Sequence, residues 1–224
     1  MKKTMKLIIT ESQYRIIMEN ENNFDNYFPV SDKELNTESG ISKLLTRYEK
    51  LKNKFGFNGI MLKGKLFNFN TTLEYNSYEE IEKLQELVVY IDGNLTLGFG
   101  SKFKNNFSSL IKIFGDLDGL DVINGEFPKL IEVTGDVDFS HSLVYGLPKL
   151  EKVGGYLEIK YSYIESLPEL KSVGSHFAMR ESEVRDLPKL EYVGGVFSVK
   201  GSPYAEGKTV EDITDKINIG SLNL

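Results

Sequence analysis

The chain has no cysteine and no tryptophan. Without cysteine there are no disulfides, no thiolate metal sites and no Cys nucleophile. The absence also leans toward a reducing compartment. Histidine is scarce: His141 and His176 are the only two in 224 residues. No apolar run reaches the ~18 residues needed to cross a bilayer, so no membrane partner is expected. The basic-then-apolar opening, residues 1–18, is interrupted by Glu11, Gln13 and Arg15. No small-residue cleavage site follows it, so it reads as mature sequence and not as a signal peptide. Positive charge is also in deficit, with 27 Lys and Arg against 33 Asp and Glu, a net charge of −6. A nucleic-acid surface needs clustered Lys and Arg, so none is expected.

What is present is an internal repeat. Residues 107–206 divide without a gap into five rows of twenty: FSSLIKIFGDLDGLDVINGE, FPKLIEVTGDVDFSHSLVYG, LPKLEKVGGYLEIKYSYIES, LPELKSVGSHFAMRESEVRD and LPKLEYVGGVFSVKGSPYAE. Column one is Phe107, Phe127, Leu147, Leu167 and Leu187. Column four is Leu110, Leu130, Leu150, Leu170 and Leu190, and column seven is Ile113, Val133, Val153, Val173 and Val193. Four of the six prolines, Pro128, Pro148, Pro168 and Pro188, share column two.

The columns have physical meanings. Columns eleven and thirteen are apolar between polar neighbours, a period of two that predicts a short strand. Glycine in column nine (Gly115, Gly135, Gly155 and Gly195, with Ser175 in row four) lets the backbone turn tightly into that strand. Proline in column two fixes φ at a corner where the ladder is broken. Columns one, four and seven point inward from the opposite wall. One row cannot bury its own apolar face, so neighbours must stack. In column sixteen, Ser142, Ser162, Ser182 and Ser202 read as a turn ladder bonding neighbouring backbones, not as nucleophiles.

Outside the rows the pattern weakens. Val88, Ile91, Gly93, Leu95 and Leu97 match columns four, seven, nine, eleven and thirteen. Leu62, Gly64 and Leu66 make an earlier partial match. A helix is predicted over 77–87, with Ser77 and Glu80 as its capping box. Another is predicted over 41–55, with Ile41, Leu44, Leu45, Tyr48, Leu51 and Phe55 as its apolar stripe and Gly56 as its stop. The resulting division is a strand and helix segment at 1–20, with a strand at 6–9 and Thr10 and Gln13 capping a helix. A polar linker follows at 21–40, then an N-terminal cap at 41–84, the solenoid at 85–206 and a C-terminal cap at 207–224. Thr209 is the expected N-cap of the last helix.

The unit L-P-x-L-x-x-V-G-G-x-L-x-I resembles the leucine-rich repeats of many bacterial and bacteriophage proteins, and is similar to receptor L-domain repeats. The resemblance covers residues 85–206. It implies an α/β, β-rich fold: a right-handed solenoid with a parallel strand ladder and helical caps, serving as a protein-binding scaffold. Two departures stand out. The Asn that closes the strand segment in the common form is missing, with Leu120, Ser140, Lys160, Arg180 and Lys200 near that place. The convex segment is too short for a helix, so an extended or 3₁₀ wall is expected. The opening MKLIITESQYRII resembles N-terminal segments of diverse phage proteins, which implies a phage-encoded chain, in the host cytoplasm or on the virion.

Columns ten, twelve and fourteen form the outward face of the predicted strand. Strands stack about 4.8 Å apart, so Asp116, Asp118, Asp136 and Asp138 should form a compact acidic cluster. Tyr156, Glu158 and His176 follow, and Lys160, Arg180 and Lys200 should form a basic column. Stacked aspartates repel, so the face is either a solvated one or a partner-binding one. Ca²⁺ wants about six to eight oxygens and a flat ladder supplies few; no metal and no cofactor is expected. The two histidines fall in different columns, which gives no Ser–His–acid geometry. The run from Gly201 to Thr209 superficially resembles a phosphate-binding loop, but five residues separate its glycines where that motif needs four. Tyr145, Tyr156, Tyr161, Tyr163, Tyr192 and Tyr204 gather in the later rows, as interface or as edge packing. The expectation is a non-enzymatic protein-interaction module; the alternative is a structural virion or assembly component anchored by its N-terminal segment, which could also be a docking peptide.

Overall fold

Twenty residues close one turn, and the turns stack into a parallel β-solenoid of about six turns. The structure is a computed structural model that describes residues 26–35, 40–69, 78–97 and 104–224. The expected strand and helix at 1–20 and the capping residue Ser77 lie outside the described residues.

Three long strands begin the stack: β1 (Phe28–Ser31), β2 (Ile60–Asn68) and β3 (Val88–Thr96). The rows then contribute short strands: β4 (Asn105–Asn106), β5 (Lys112–Ile113), β6 (Leu117–Asp118), β7 (Gly125–Glu126), β8 (Glu132–Val133), β9 (Val137–Asp138), β10 (Lys152–Val153), β11 (Leu157–Glu158), β12 (Ser172–Val173) and β13 (Phe177–Ala178). A longer β14 (Tyr192–Ser198) and β15 (Asn218–Asn223) end the stack. Each row therefore pairs twice, through columns six and seven and through columns eleven and twelve. Of these, only the second carries the period-two alternation that marks a strand in the sequence. The opposite wall is extended, as its shortness required. One sheet runs along the first ladder from β5 to β12, passes through β14 and returns along the second from β13 to β6.

Register follows the apolar columns. Val30, Leu62, Ile91, Ile113, Val133, Val153, Val173 and Val193 pair in succession. All eight are fully buried. Each such side chain contributes roughly 1.5–3 kcal/mol relative to exposure. The five leucines of column four are equally interior, none more than 4% exposed. Column eighteen adds Val144, Ile164, Val184 and Tyr204 to the core, although Asn124 in row one breaks its apolar pattern.

Two corners close each turn. At the first, the column-four N–H donates to the column-one carbonyl, as Leu150 does to Leu147 at 3.1 Å. Pro148 then occupies the second position of a β-turn, where its fixed φ fits. At the second, Ser142 N–H donates to Phe139 O at 3.3 Å. Column fifteen sits there at positive φ: Asp121, His141, Tyr161 and Glu181 lie between 52° and 57°, with Gly201 at 74°. Three of the four buried serines of column sixteen serve this corner with their side chains; the Ser142 hydroxyl does not. Ser162, Ser182 and Ser202 donate to the carbonyls of Ile159, Met179 and Val199, three residues back. They bond their own turn and not the neighbouring one.

The ends required other corrections. Residues 28–35, assigned to a polar linker, are strand β1 and helix α1 (Asp32–Leu35), with Phe28, Val30 and Leu35 buried. Ser31 and Glu34 cap α1 reciprocally, Ser31 N–H donating to Glu34 Oε2 at 2.8 Å and Glu34 N–H to Ser31 Oγ at 3.3 Å. Burial alone would raise the Glu34 carboxyl, but the Ser31 bond and Arg47 hold it below its ordinary value. In β2 an irregularity between Lys63 and Leu66 shifts the register, so Phe67 pairs with Leu95. Phe67 thus takes the core place expected of Leu66, which is 49% exposed.

Helix α2 (Gly40–Phe55) buries Ile41, Leu44, Leu45 and Tyr48, and Gly56 stops it at φ +72°. Phe55, expected in its stripe, is exposed and leans on Phe57. Helix α3 (Tyr78–Leu87) buries Ile81 and Leu84. Thr209 caps helix α4 (Val210–Thr214) reciprocally with Asp212. Strand β15 then pairs with β14, so the ladder runs beyond both expected borders of the solenoid. No helix among the described residues is long and apolar enough to cross a membrane.

Truncating the interior file at mid-stack should cost most. Leu150→Ala is expected to lower unfolding free energy by about 2–5 kcal/mol in urea titration. Tyr145→Ala, at a 69% exposed residue, should stay within about 0.5 kcal/mol of the parent.

Candidate binding face

The outward face begins with the side chains of column ten. Asn94 Oδ1 accepts from the N–H of Asp116 at 3.0 Å, Asp116 Oδ1 from the N–H of Asp136 at 2.9 Å, and Asp136 Oδ1 from the N–H of Tyr156 at 2.9 Å. Each side chain thus holds the backbone of the next turn. Asn94 Nδ2 also donates to Asp116 Oδ2 at 2.9 Å. The column-twelve aspartates act within their own turn, Asp118 accepting from Leu120 N–H at 3.2 Å and Asp138 from Ser140 N–H at 2.8 Å. All four carboxylates therefore accept a backbone hydrogen bond, which offsets part of the repulsion that stacking them creates.

This ladder explains the glycines of column nine. A Cβ on Gly135 would stand 2.1 Å from Asp116 Oδ1, and one on Gly155 1.9 Å from Asp136 Oδ1. Where Tyr156 replaces the aspartate, the following turn carries Ser175. On Gly195 the nearest atom to an added Cβ is 3.3 Å away. The glycines thus make room for the aspartates and for the backbone of the preceding turn, Gly115 O lying 2.7 Å from a Cβ on Gly135; none of the four has the positive φ that a tight turn would require. The sequence held the signal, since column nine loses its glycine only after column ten loses its Asx residue.

The ten residues singled out from the sequence divide between two hollows on this face. Asp116, Asp118, Asp136, Asp138 and Tyr156 line one of about 360 Å³, with Asn94, Leu66 and Leu120 among their neighbours. Glu158, Lys160, His176, Arg180 and Lys200 line a second of about 490 Å³, with Val196 and Ser198. Lys160 pairs with Glu158 at 2.8 Å and Arg180 with Glu181 at 3.3 Å. Lys200 has no ion-pair partner among the described residues. Between the hollows the Tyr156 and His176 rings stack at 5.1 Å, 9° from parallel. Burial raises the Tyr156 hydroxyl above its ordinary pKa, and Asp136, Asp138, Glu158 and Asp116 push it the same way.

The opposite wall treats charge differently. There Lys112 and Lys152 flank Glu132, Lys171 meets Glu151, and Lys189 meets Glu169, each one turn apart. The Lys189 bond holds Glu169 below its ordinary pKa, and the Glu151 bond holds Lys171 above its own. Signs alternate along that wall and neutralise each other. On the candidate face they segregate, acidic at one end and basic at the other.

The other sequence candidates have local roles. His141 stacks on Tyr161 at 4.9 Å at the second corner. Tyr145, Tyr161, Tyr163 and Tyr192 are exposed, whereas Tyr204 is buried. In the run that resembled a phosphate loop, Pro203–Ala205 form a 3₁₀ turn and Lys208 Nζ lies over the Tyr204 ring at 3.7 Å. No group of three or more His, Asp or Glu side chains among the described residues is placed to hold a metal ion. No protein-family model, curated protein or solved structure matches the chain.

Two outcomes follow from the ladder. Gly155→Ala should destabilise the fold by about 1–3 kcal/mol through overpacking, and Gly195→Ala by clearly less, both read by chemical denaturation. Asp136→Asn keeps the accepting oxygen but removes the charge. It should lower the Tyr156 pKa toward its ordinary value, followed by NMR on the ring.

Proposed function

We propose that this chain is a non-enzymatic protein-interaction module, built on a leucine-rich-repeat-like solenoid with helical caps, that docks a protein partner on the face of columns ten, twelve and fourteen. The carrying observation is the segregation of charge there. One wall of the same solenoid interleaves Lys and Glu at each step, so the repeat is able to neutralise itself. On the docking face four aspartates stack in neighbouring turns, and a basic column follows. A surface left polarised in this way attracts and orients a complementary partner. Tyr156 and His176 supply aromatic area at its centre, and Tyr is a residue type favoured at binding hot spots. The repeat unit supports kinship with leucine-rich repeats. Helices α2 and α4, at opposite ends of the described chain, support the reading as caps. The phage-like opening segment supports a phage-encoded chain, working in the host cytoplasm or on the virion.

The test compares two baits in quantitative capture from the native cell. Asp118→Lys with Asp138→Lys reverses the acidic hollow while leaving the ladder of Asp116 and Asp136 intact. Partners held by the parent should fall at least about tenfold on this bait, and should wash off the parent at high salt, where exposed charges are screened. Equal capture by both baits, each verified as folded by circular dichroism, refutes the assignment of this face.

A further inference from the structure

We infer that the partner this face fits is a second copy of the same chain, docked face to face about a two-fold axis. The inference rests on the reading of the face as an interaction surface and names its occupant. It comes from how the corners of the face are filled.

In the outward columns of the five rows, Asp116 and Lys200 occupy one pair of diagonal corners, and Leu120 and Val196 the other. Leu120 and Val196 are each 45% exposed. Steps of about 4.8 Å between turns and about 3.3 Å along a strand make this a patch of about 19 by 13 Å. A two-fold axis lying in the plane of the face, along the Leu120–Val196 diagonal, leaves the apolar corners in place and lays the acidic half of each copy over the basic half of the other. It seats Lys160 beside Asp118 and Asp138 of the second copy, and Arg180 over its Asp136. Leu120 meets Leu120, and Val196 meets Val196. Glu158 lies on the axis near its own copy, so the Lys160 that bonds it at 2.8 Å bridges it to the second copy's aspartates, with His176 Nε2 at 3.6 Å on its other side.

An isologous interface needs a surface that complements itself under such an axis. A uniformly acidic or basic face would repel its copy. This one places opposite charge over opposite charge and apolar over apolar. Arg180 and Lys200 are exposed and Lys160 is half-buried, and the acidic hollow opposite them measures about 360 Å³. The patch is smaller than the roughly 800 Å² per partner of a standard interface. The dimer is therefore weak, reversible and sensitive to salt.

Sedimentation velocity on the full chain tests this. The parent should convert from monomer to dimer as concentration rises into the high-micromolar range at low salt, and dissociate at least about tenfold more readily at high salt. Asp118→Lys/Asp138→Lys makes the face basic, and Lys160→Glu/Arg180→Glu makes it acidic. Each variant alone should remain monomeric, and a one-to-one mixture should restore the dimer. The chain has no cysteine, so Leu120→Cys provides an independent probe of the axis. It should oxidise to a covalent dimer several-fold faster than Tyr145→Cys, whose thiol lies off the face. A parent that stays monomeric throughout, or a mixture that does not associate, overturns the inference, as do equal cross-linking rates. A monomeric parent whose captured partners are still lost on charge reversal removes only the second copy as occupant. A monomeric parent with unchanged capture removes the docking face as well.

Discussion

The structure depends on stacking equal-length turns in register. A two-residue strand is far too short to persist alone, and one turn has no second layer to cover its apolar side. Both problems end when Val133 lies between Ile113 and Val153 and the same is true at every other inward column. The parallel pairings then satisfy the backbone while the side chains form continuous files. Long-range order arises from nearest-neighbour contacts, so the fold tolerates irregular first turns such as β2 and β3.

Stacking in register also makes charge placement consequential. A residue meets its own column about 4.8 Å away on each side, so a column of one sign must be relieved by something. The wall carrying Lys112, Glu132 and Lys152 is relieved by alternation. Column ten is relieved by backbone: Asp116 and Asp136 each accept from the N–H of the following turn. That arrangement in turn demands glycine in column nine. Electrostatics, hydrogen bonding and sterics are thus joined at one place, and it lies on the face where net charge stays polarised. In column ten one aspartate oxygen holds the next turn, and on Asp116 the second oxygen accepts from Asn94 in the turn before.

Much of this was legible in the residues. The twenty-residue period, the inward files of columns one, four, seven, eleven and thirteen, and the corner at Pro148 needed only polarity and spacing. The ten face residues were selected the same way, by alternation along one strand. Less legible were the left-handed residues of column fifteen, since Asp121, His141, Tyr161 and Glu181 share no side-chain type that signals positive φ. Strand β1 was obscured by its polar surroundings, although Ser31 and Glu34 carry the capping spacing that marks the start of α1. The displacement of Leu66 by Phe67 had no local signal, because a register shift is decided by the partner strand.

The sequence by itself determined that the turns repeat, how long each is, and which side chains must face inward, because the period and the cost of exposed apolar surface leave one solution. The tertiary structure alone decided that both walls pair as ladders, that the aspartates bond across turns, and that acidic and basic hollows sit side by side. Those features depend on how one turn is placed against the next, and that placement is a relation between segments twenty residues apart that no single segment encodes.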